Sequence, residues 1–310
     1  MTARPGVEVR PLATPAEARR AYGPAQAELP EESERGDTRV LQPTWQDEAN
    51  TWVDGQLARL GWARTGPLRA VRDSHRCQVA ALPTTAGTMY VKRPAAFLAP
   101  EGTIVSRLAA AGHSLPHVVA ADAATRWWLS LDFDGQSPVH DDAGLTLALS
   151  RLADVQLRAV EHVEDLVGAG CPDYRAERLP AAFHALVSDP ETITLLTPAE
   201  LAAMGELESR LGRCCEQIAR TLPSTVLHGD LTPWNVARTR AGIVLFDWAN
   251  GFVGPPFLDC ITLLSAARSV SQWPRGVSAY ADPWLAAWPA DLVREVPWPM
   301  IGRASCRERV

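Results

Sequence analysis

Three polar side chains that could do chemistry lie close together in one short segment. Asp230 follows a short apolar run, and Asn235 and Asp247 flank two further apolar runs with Gly242 at the bend between them. This pattern predicts a β-hairpin that places Asn235 and Asp247 at the same end, beside Asp230. One carboxylate and one amide oxygen suit a hard cation such as Mg²⁺, which keeps several waters and takes its other ligands from phosphates. The segment therefore predicts a base next to a cation site.

The order of these residues resembles a known family. The run from His228 to Asn235 is His-Gly-Asp-Leu-Thr-Pro-Trp-Asn, and the apolar run after it ends in Asp247 followed by tryptophan. It is similar to the catalytic and metal-binding loops of kinase-fold enzymes. The central glycine and the final tryptophan resemble the aminoglycoside phosphotransferase and choline kinase-like branch. For each residue alone, a loop cap or a strand end is the alternative, but the whole arrangement in order favours the kinase-like site.

The resemblance implies a fold class and a division of the chain. We expect an α+β fold with two lobes, a small β-rich N-lobe and a larger, mainly helical C-lobe. The expected parts are a flexible N-terminal segment (1–44), a nucleotide-binding N-lobe (45–134) and a truncated C-lobe that binds the acceptor (135–300). The last ten residues (301–310) lack an apolar period and resemble a translated sequencing adapter, so a non-native tail is expected there; an ordinary basic tail is the alternative.

A second charged pair lies far upstream. The run that ends in Lys92 alternates like a strand, and Glu101 begins a helical pattern. By resemblance, Lys92 reaches the nucleotide phosphates and is held by Glu101. The alternative is a surface lysine and a helix-start glutamate that suits the helix dipole. The downstream motif favours the ion pair.

The nucleotide pocket is less clearly marked. By resemblance, the linker between the lobes contacts the adenine through Leu131 and Phe133. The loop that covers the phosphates departs from the kinase pattern, because the segment 72–79 contains no glycine. Three side chains there are candidates for phosphate contacts, with a solvated turn as the alternative: Ser74, His75 and Arg76.

The resemblance implies phosphorylation of a small-molecule hydroxyl by ATP or GTP with Mg²⁺. Asp230 would orient the hydroxyl and accept its proton, and Asn235 and Asp247 would hold the metal. His228 and Asp259 would support the catalytic loop, Asp259 by accepting backbone hydrogen bonds. The acceptor is expected to be an aminoglycoside, an amino sugar, an amino alcohol or a macrolide. The alternative is a kinase-fold nucleotide-binding protein with weak or no turnover.

Composition narrows the partners. The 310 residues carry a net charge of −6, which argues against nucleic acid as a partner. No apolar leader or membrane span is visible, and six cysteines without a C-x-x-C pair indicate reduced thiols in a cytoplasmic protein. No long activation segment follows Asp247, which favours a small-molecule acceptor over a peptide. The sequence does not indicate an oligomeric state.

Two long helical patterns complete the prediction. Apolar residues recur at helical spacing over 149–167 and over 201–218, the second after a capping box at Thr197. Both stripes are expected to pack in the core beneath the catalytic hairpin, with no role beyond packing.

Overall fold

The computed structural model describes residues 44–109, 115–265 and 273–288. The predicted flexible segment 1–44, apart from its last residue, and the predicted non-native tail 301–310 lie outside the described residues. The predicted boundaries of the two lobes stay predictions.

The first lobe is a helix packed on a five-stranded antiparallel sheet, with strand order β1-β2-β3-β5-β4 in the described residues. Its elements are α1 (Trp45–Leu60), β1 (Arg69–Asp73), β2 (Cys77–Thr84), β3 (Gly87–Pro94), α2 (Glu101–Ala109), β4 (Val118–Ala121) and β5 (Trp128–Leu131). Met89 and Val91 of β3 are buried in the cluster that also contains the inner face of α1. Since side chains alternate along a strand, Tyr90 and Lys92 face the opposite side of the sheet. The sheet thus presents Lys92 away from its own core.

The second lobe is mainly helical. Its elements are α3 (Asp142–Ala159), α4 (Val163–Gly168), α5 (Leu179–Ser188), α6 (Pro190–Thr194), α7 (Pro198–Thr221), β6 (Thr225–Leu227), β7 (Val236–Thr239), β8 (Gly242–Leu245), β9 (Phe252–Gly254), α8 (Leu258–Ser265) and α9 (Trp273–Ala287). β7 pairs with β8 and β6 pairs with β9, both antiparallel. The larger core cluster forms where α3 packs against α9 and the short strands. The α+β fold with a β-rich lobe and a helical lobe is confirmed.

The prediction that both helical stripes pack in the core is wrong for the second one. Six apolar positions define that stripe, but among these six only Cys215 is buried, and Leu207 is 41% exposed. Helix α7 packs on α5, in which no residue is buried. Periodicity identifies which face of a helix is apolar, but the partner of that face depends on where the helix docks. In α3, by contrast, the predicted stripe is buried, including Leu149 and Leu152.

Two smaller predictions concern membranes and cysteines. No helix among the described residues is long and apolar enough to cross a membrane. The five cysteines in the described ranges are free; Cys171, Cys215 and Cys260 are buried, and Cys77 and Cys214 are partly buried. The sixth, Cys306, lies outside the described residues.

Candidate active site

The loop that carries Asp230 is held from below by a buried carboxylate. Strand β6 is fully buried and delivers His228 and Gly229 to the edge of the core. Asp259, near the start of α8, accepts hydrogen bonds from His228 N at 2.6 Å and from Gly229 N at 2.9 Å. Burial raises the pKa of Asp259 to about 6, although the two backbone hydrogen bonds act in the opposite direction. Asp259 thus lies where its predicted supporting role requires.

Gly229 is required by its conformation and by its neighbour. Its φ is +76°, in the left-handed region that favours glycine. A Cβ at this position would lie 2.1 Å from the backbone oxygen of Asn250. The loop before Asp230 and the segment after Asp247 are therefore in direct backbone contact, which only glycine permits.

His228 lies beneath the loop and links it to the end of the hairpin formed by β7 and β8. Its Nε2 donates to the carbonyl oxygen of Phe246 at 2.9 Å, and its ring centroid lies 4.7 Å from that of Trp248. Burial lowers the pKa of His228 to about 4. A neutral, fully buried imidazole with a backbone acceptor suits a structural link better than proton transfer.

The hairpin places Asn235 and Asp247 as predicted from the sequence. In the pairing of β7 with β8, Val236 lies opposite Leu245 at one end and Thr239 lies opposite Gly242 at the other, which confirms the hairpin. Asn235 precedes β7, and Asp247 follows β8 after one residue. Phe246 N also donates to the carbonyl oxygen of Asn235 at 3.0 Å, so the two ends of the hairpin stay together.

Asp230 and Asn235 are hydrogen bonded to each other. The amide nitrogen of Asn235 donates to the backbone oxygen of Asp230 at 2.7 Å and to its Oδ2 at 3.3 Å. Asp230 is exposed, whereas Asn235 is buried. Partial burial and the charge of Asp247 raise the pKa of Asp230 above its ordinary value, against the effect of Asn235. The arrangement leaves a carboxylate at the surface of the loop, oriented by an amide.

Lys92, Glu101 and Asp247 form one charge cluster in which Glu101 is buried and Asp247 is partly exposed. Lys92 Nζ lies 2.7 Å from Glu101 Oε2 and 2.5 Å from Asp247 Oδ1. Burial alone would lower the pKa of Lys92, but the two carboxylates outweigh it and hold the pKa above its usual range. For Asp247, burial would raise the pKa, but Lys92 lowers it below its ordinary value. The predicted Lys92–Glu101 pair is therefore present in the structure, and Lys92 carries its charge.

Glu101 also holds the backbone next to Asp247. Its Oε1 accepts a hydrogen bond from Trp248 N at 2.9 Å. Asp247 itself has the left-handed conformation, with φ 67° and ψ 57°. A non-glycine residue in this region is uncommon and marks a constrained position. The glutamate thus fixes both the lysine and the turn that presents Asp247.

A cavity of about 380 Å³ lies between the sheet and the hairpin. Its lining includes Lys92, Asp247, Phe133 and Phe246, and the two phenylalanine rings lie 5.4 Å apart. Leu131 is placed differently, because its side chain packs against the core of the sheet and its amide donates to His117 O at 3.0 Å. Of the two predicted adenine contacts, Phe133 alone has its side chain in the lining of this cavity.

The site contains few metal ligands of its own. In the described part of the chain, no group of three His, Cys, Asp or Glu side chains could hold a metal ion. Asn235 and Asp247 supply one amide and one carboxylate, which suits a cation that takes its other ligands from phosphate and water. This donor set fits Mg²⁺ and does not fit a closed structural metal site.

The structure gives a hydrogen-bonding role to Gln156, a member of the first helical stripe that was expected only to pack, and to Tyr280, which the sequence did not single out. Gln156 Nε2 donates to Asp259 Oδ2 at 3.3 Å, and the Tyr280 hydroxyl donates to Gln156 Oε1. The Tyr280 hydroxyl also accepts a hydrogen bond from Phe257 N at 2.9 Å. All of these groups are buried, so Asp259 is fixed by a polar network that reaches α3 and α9. A glutamine inside an otherwise apolar helical stripe was the one available signal.

Two exposed acidic residues of the second lobe, Asp141 and Glu164, already have partners in the structure. Asp141 caps α3 by accepting from Gly144 N at 2.9 Å and pairs with Arg238 at 2.7 Å. Glu164 pairs with Arg175 at 2.5 Å. These two carboxylates are already engaged, so they carry no argument for a cationic acceptor.

Comparisons with known proteins agree with this geometry. The sequence profile of the phosphotransferase enzyme family matches residues 67–293. A macrolide 2′-phosphotransferase from Brachybacterium faecium is 18% identical with a TM-score of 0.52, covering 80% of this chain and 87% of its own. An ethanolamine kinase from Plasmodium vivax is 10% identical with a TM-score of 0.54, and the match covers 87% of this chain and 85% of the kinase. A choline kinase from Streptococcus pneumoniae is 12% identical with a TM-score of 0.52, and the match covers 85% of this chain and 93% of the kinase. These likenesses concern the fold, and no curated protein matches the chain by sequence.

Proposed function

The chain belongs to the phosphotransferase enzyme family and is a small-molecule kinase; from that premise we propose its donor, its acceptor class and its working residues. The donor is ATP or GTP with Mg²⁺, and the acceptor is a hydroxyl of an aminoglycoside, an amino sugar or an amino alcohol. The observation that carries the proposal is the position of Asp247 in the lining of the cavity, within ion-pair distance of Lys92. The hairpin brings Asn235 to the same end.

Asp230 is the proposed base. It is exposed at the surface of the loop, and Asn235 contacts its Oδ2, so a second carboxylate oxygen remains available for a hydroxyl. Asp230 would orient this hydroxyl and accept its proton as the oxygen attacks phosphorus. Catalysis of this kind depends mostly on positioning and on electrostatic stabilisation.

Asn235 and Asp247 are the proposed ligands of Mg²⁺. A bound Mg²⁺ would neutralise phosphate charge and orient the donor. Asp247 is suited to this because its side chain is 34% exposed and Lys92 keeps it ionised. His228 and Asp259 support the loop and touch no reactant.

Lys92 is proposed to bind the nucleotide phosphates while Glu101 keeps it in place. Its ammonium group can serve phosphate oxygens and retain Glu101, since it has three donors. Nucleotide binding would therefore replace the Lys92–Asp247 contact and release Asp247 for the metal. Phe133 and the backbone at Leu131 are the proposed contacts of the nucleobase of ATP or GTP.

A second candidate is a nucleotide-binding protein of the same fold with weak or no turnover. The glycine-free turn between β1 and β2 favours it, because the Ser74 hydroxyl and amide are both bonded to Cys77 within the turn. Such a turn offers fewer backbone donors to phosphates than a glycine-rich loop would.

The first experiment compares thermal midpoints with and without Mg-ATP. A saturating ligand adds about 2 to 4 kcal/mol of stability, a shift of several degrees. The shift should depend on Mg²⁺ and should disappear in Asp247→Ala. Asp282→Ala, a change at an exposed aspartate of α9, is the matched control and should keep the shift. A wild-type protein that folds cooperatively but shows no shift would contradict the proposed nucleotide site.

The second experiment separates a kinase from a nucleotide binder. Formation of the nucleoside diphosphate is followed with a panel of aminoglycosides, amino sugars, amino alcohols and macrolides. Asp230→Asn should reduce turnover by about two to four orders of magnitude while nucleotide binding is kept. Full turnover in this variant would contradict the role of Asp230. Nucleotide binding without turnover on any acceptor, or on water, would favour the second candidate.

A further inference from the structure

The turn between β1 and β2 lies where a kinase-fold enzyme covers the phosphates, and its residues are hydrogen bonded to each other. Ser74 N donates to the Cys77 oxygen at 3.0 Å, and Cys77 N donates to Ser74 Oγ at 3.2 Å. The turn is also anchored outside, because Ala95 N donates to the backbone oxygen of Arg76 at 2.8 Å. The amides of Ser74 and Cys77 are therefore not available to phosphates, and the backbone around Arg76 is fixed.

One side chain of this turn reaches across to the second lobe. Arg76 Nη2 donates to Asn250 Oδ1 at 3.0 Å. Asn250 belongs to the same short helical turn as Trp248, and its backbone contacts Gly229 directly before Asp230. The guanidinium consequently lies beside both the metal-binding and the base-bearing segments. Its charge is close enough to lower the pKa of Asp230, although this effect is smaller than that of burial.

The ion pairs of the site involve Lys92 and leave the Arg76 guanidinium available for contacts with phosphate oxygens. Lys92 is already paired with two carboxylates, at 2.7 Å and 2.5 Å. Arg76 is exposed, and its hydrogen-bond partner Asn250 is a neutral amide. A guanidinium has five N–H donors in a planar arrangement that matches phosphate oxygens. Among the described residues, no carboxylate forms an ion pair with Arg76, which therefore keeps donors for phosphate oxygens beside the segments that carry Asp230 and Asp247.

We propose that the Arg76 guanidinium, positioned by Asn250, binds the terminal phosphate of the nucleotide and takes the place of the missing glycine-loop amides. This inference rests on the proposed function. Arg76 would stabilise charge on the transferring phosphoryl group, and Asn250 would act as a positioning residue. The glycine-free turn is then compatible with turnover, because a side chain supplies what the backbone does not.

The test measures dissociation constants by titration calorimetry for Mg-ADP and for the Mg²⁺ complex of the β,γ-imido analogue of ATP. Only the analogue carries the terminal phosphate, and no acceptor is needed. Arg76→Ala should weaken binding of the analogue by about tenfold, as expected for the loss of a hydrogen bond to a charged group. Binding of ADP should stay within about twofold, which is less than 0.5 kcal/mol.

Three further variants sharpen the result. Arg76→Lys keeps the charge without the planar donor pair and should recover part of the lost affinity for the analogue. Asn250→Asp has the same size but pairs with the guanidinium, so it should weaken the analogue selectively while Arg76 is still present. Arg240→Ala, a change at an exposed arginine in the turn of the other hairpin, is the control and should change neither constant.

The outcomes separate the inference from the function beneath it. A wild-type protein that binds both nucleotides, with an Arg76→Ala variant that loses neither or loses both equally, would overturn the role of Arg76 and leave the proposed function standing. A folded wild-type protein that binds neither nucleotide would overturn the proposed function and this inference with it. Selective loss of the analogue in Arg76→Ala and Asn250→Asp supports both.

Discussion

Two buried carboxylates hold the two halves of the active site, and they tolerate burial in different ways. Glu101 accepts a hydrogen bond from Trp248 N and is neutralised by Lys92. Asp259 accepts from His228 N, Gly229 N and Gln156 Nε2. In the described residues, these three partners of Asp259 are neutral groups. One carboxylate is balanced by a cation, and the other is solvated by amides.

The difference corresponds to what each carboxylate has to do. The Glu101 side shares its lysine with Asp247, so under the proposed function its electrostatic balance would change when phosphates or a metal bind. The donors to Asp259 are not proposed to contact the nucleotide or the metal. Asp259 can therefore keep the loop fixed both with and without bound ligand. A charge pair suits a segment whose contacts change when the nucleotide binds. A set of amide donors suits a segment whose conformation must stay the same when the nucleotide binds. Three variants test this contrast.

Lys92→Met should have the largest effect on stability. It leaves Glu101, which is 1% exposed, buried without its cation. Breaking a buried ion pair from one side costs about 3 to 5 kcal/mol, because an uncompensated charge remains. Urea denaturation measures this loss. The double variant Lys92→Met/Glu101→Gln removes both charges and should recover much of it; equal instability of the single and double variants would show that the pair is not the source.

Asp259 should make the stability of the protein depend on pH in a way that Asp259→Asn removes. Its pKa in the folded protein, about 6, lies above the ordinary value of 3.8. The folded state therefore holds the proton where the unfolded state has lost it. The stabilisation is complete below about pH 4 and is lost as the pH rises through about 6.

The free energy of unfolding of the wild type, minus that of Asp259→Asn, should consequently fall by up to about 3 kcal/mol between these two pH values. Denaturation series at matched pH measure the difference. A difference that stays constant would mean that the amide donors offset the desolvation of Asp259 completely. The two carboxylates would then be equally well compensated.

Gln156→Leu should have the smallest effect of the three. Leucine fits the apolar surroundings of α3, but it removes one donor from Asp259 and the acceptor of the Tyr280 hydroxyl. The expected loss is about 1 to 2 kcal/mol. A double-mutant cycle with Tyr280→Phe should give a coupling energy of at least about 0.5 kcal/mol. Additive losses would show that the two side chains act independently.

The parts of the molecule that could be predicted are those set by short-range order. The run before Lys92 alternates, the run before Asp247 is a short apolar cluster, and both patterns are typical of strands, which are present in the structure. Gly242 marked the end of a hairpin, which fixed Asn235 and Asp247 at one end of it. The roles assigned to Asp230, Asn235 and Asp247 stay predictions until the variants are measured.

The misses share one cause. The stripe on α7 was correctly recognised as an apolar face, but its position on α5 outside the core could not be inferred from its period. Gln156 contacts Asp259 and Tyr280, which are 103 and 124 residues away along the chain. Arg76 was named as a candidate for phosphate contacts, but its partner Asn250 lies 174 residues away along the chain. No local pattern encodes such distances.

The sequence by itself determined the family, the strands and loops that carry the reactive groups, and the candidate residues for the chemistry. The resemblance supplied the Lys92–Glu101 pair and the backbone donors to Asp259, whereas the tertiary structure alone decided that Asp247 shares Lys92 and that Gln156 donates to Asp259. Glu101 has a cation and Asp259 has amides because of the elements that pack against each of them. Local backbone preference follows from neighbouring residues, whereas the environment of a buried charge depends on groups that only folding brings together. For that reason the local sequence marks the carboxylates clearly but does not reveal the distant contacts of Asp247 and Gln156 that complete their surroundings.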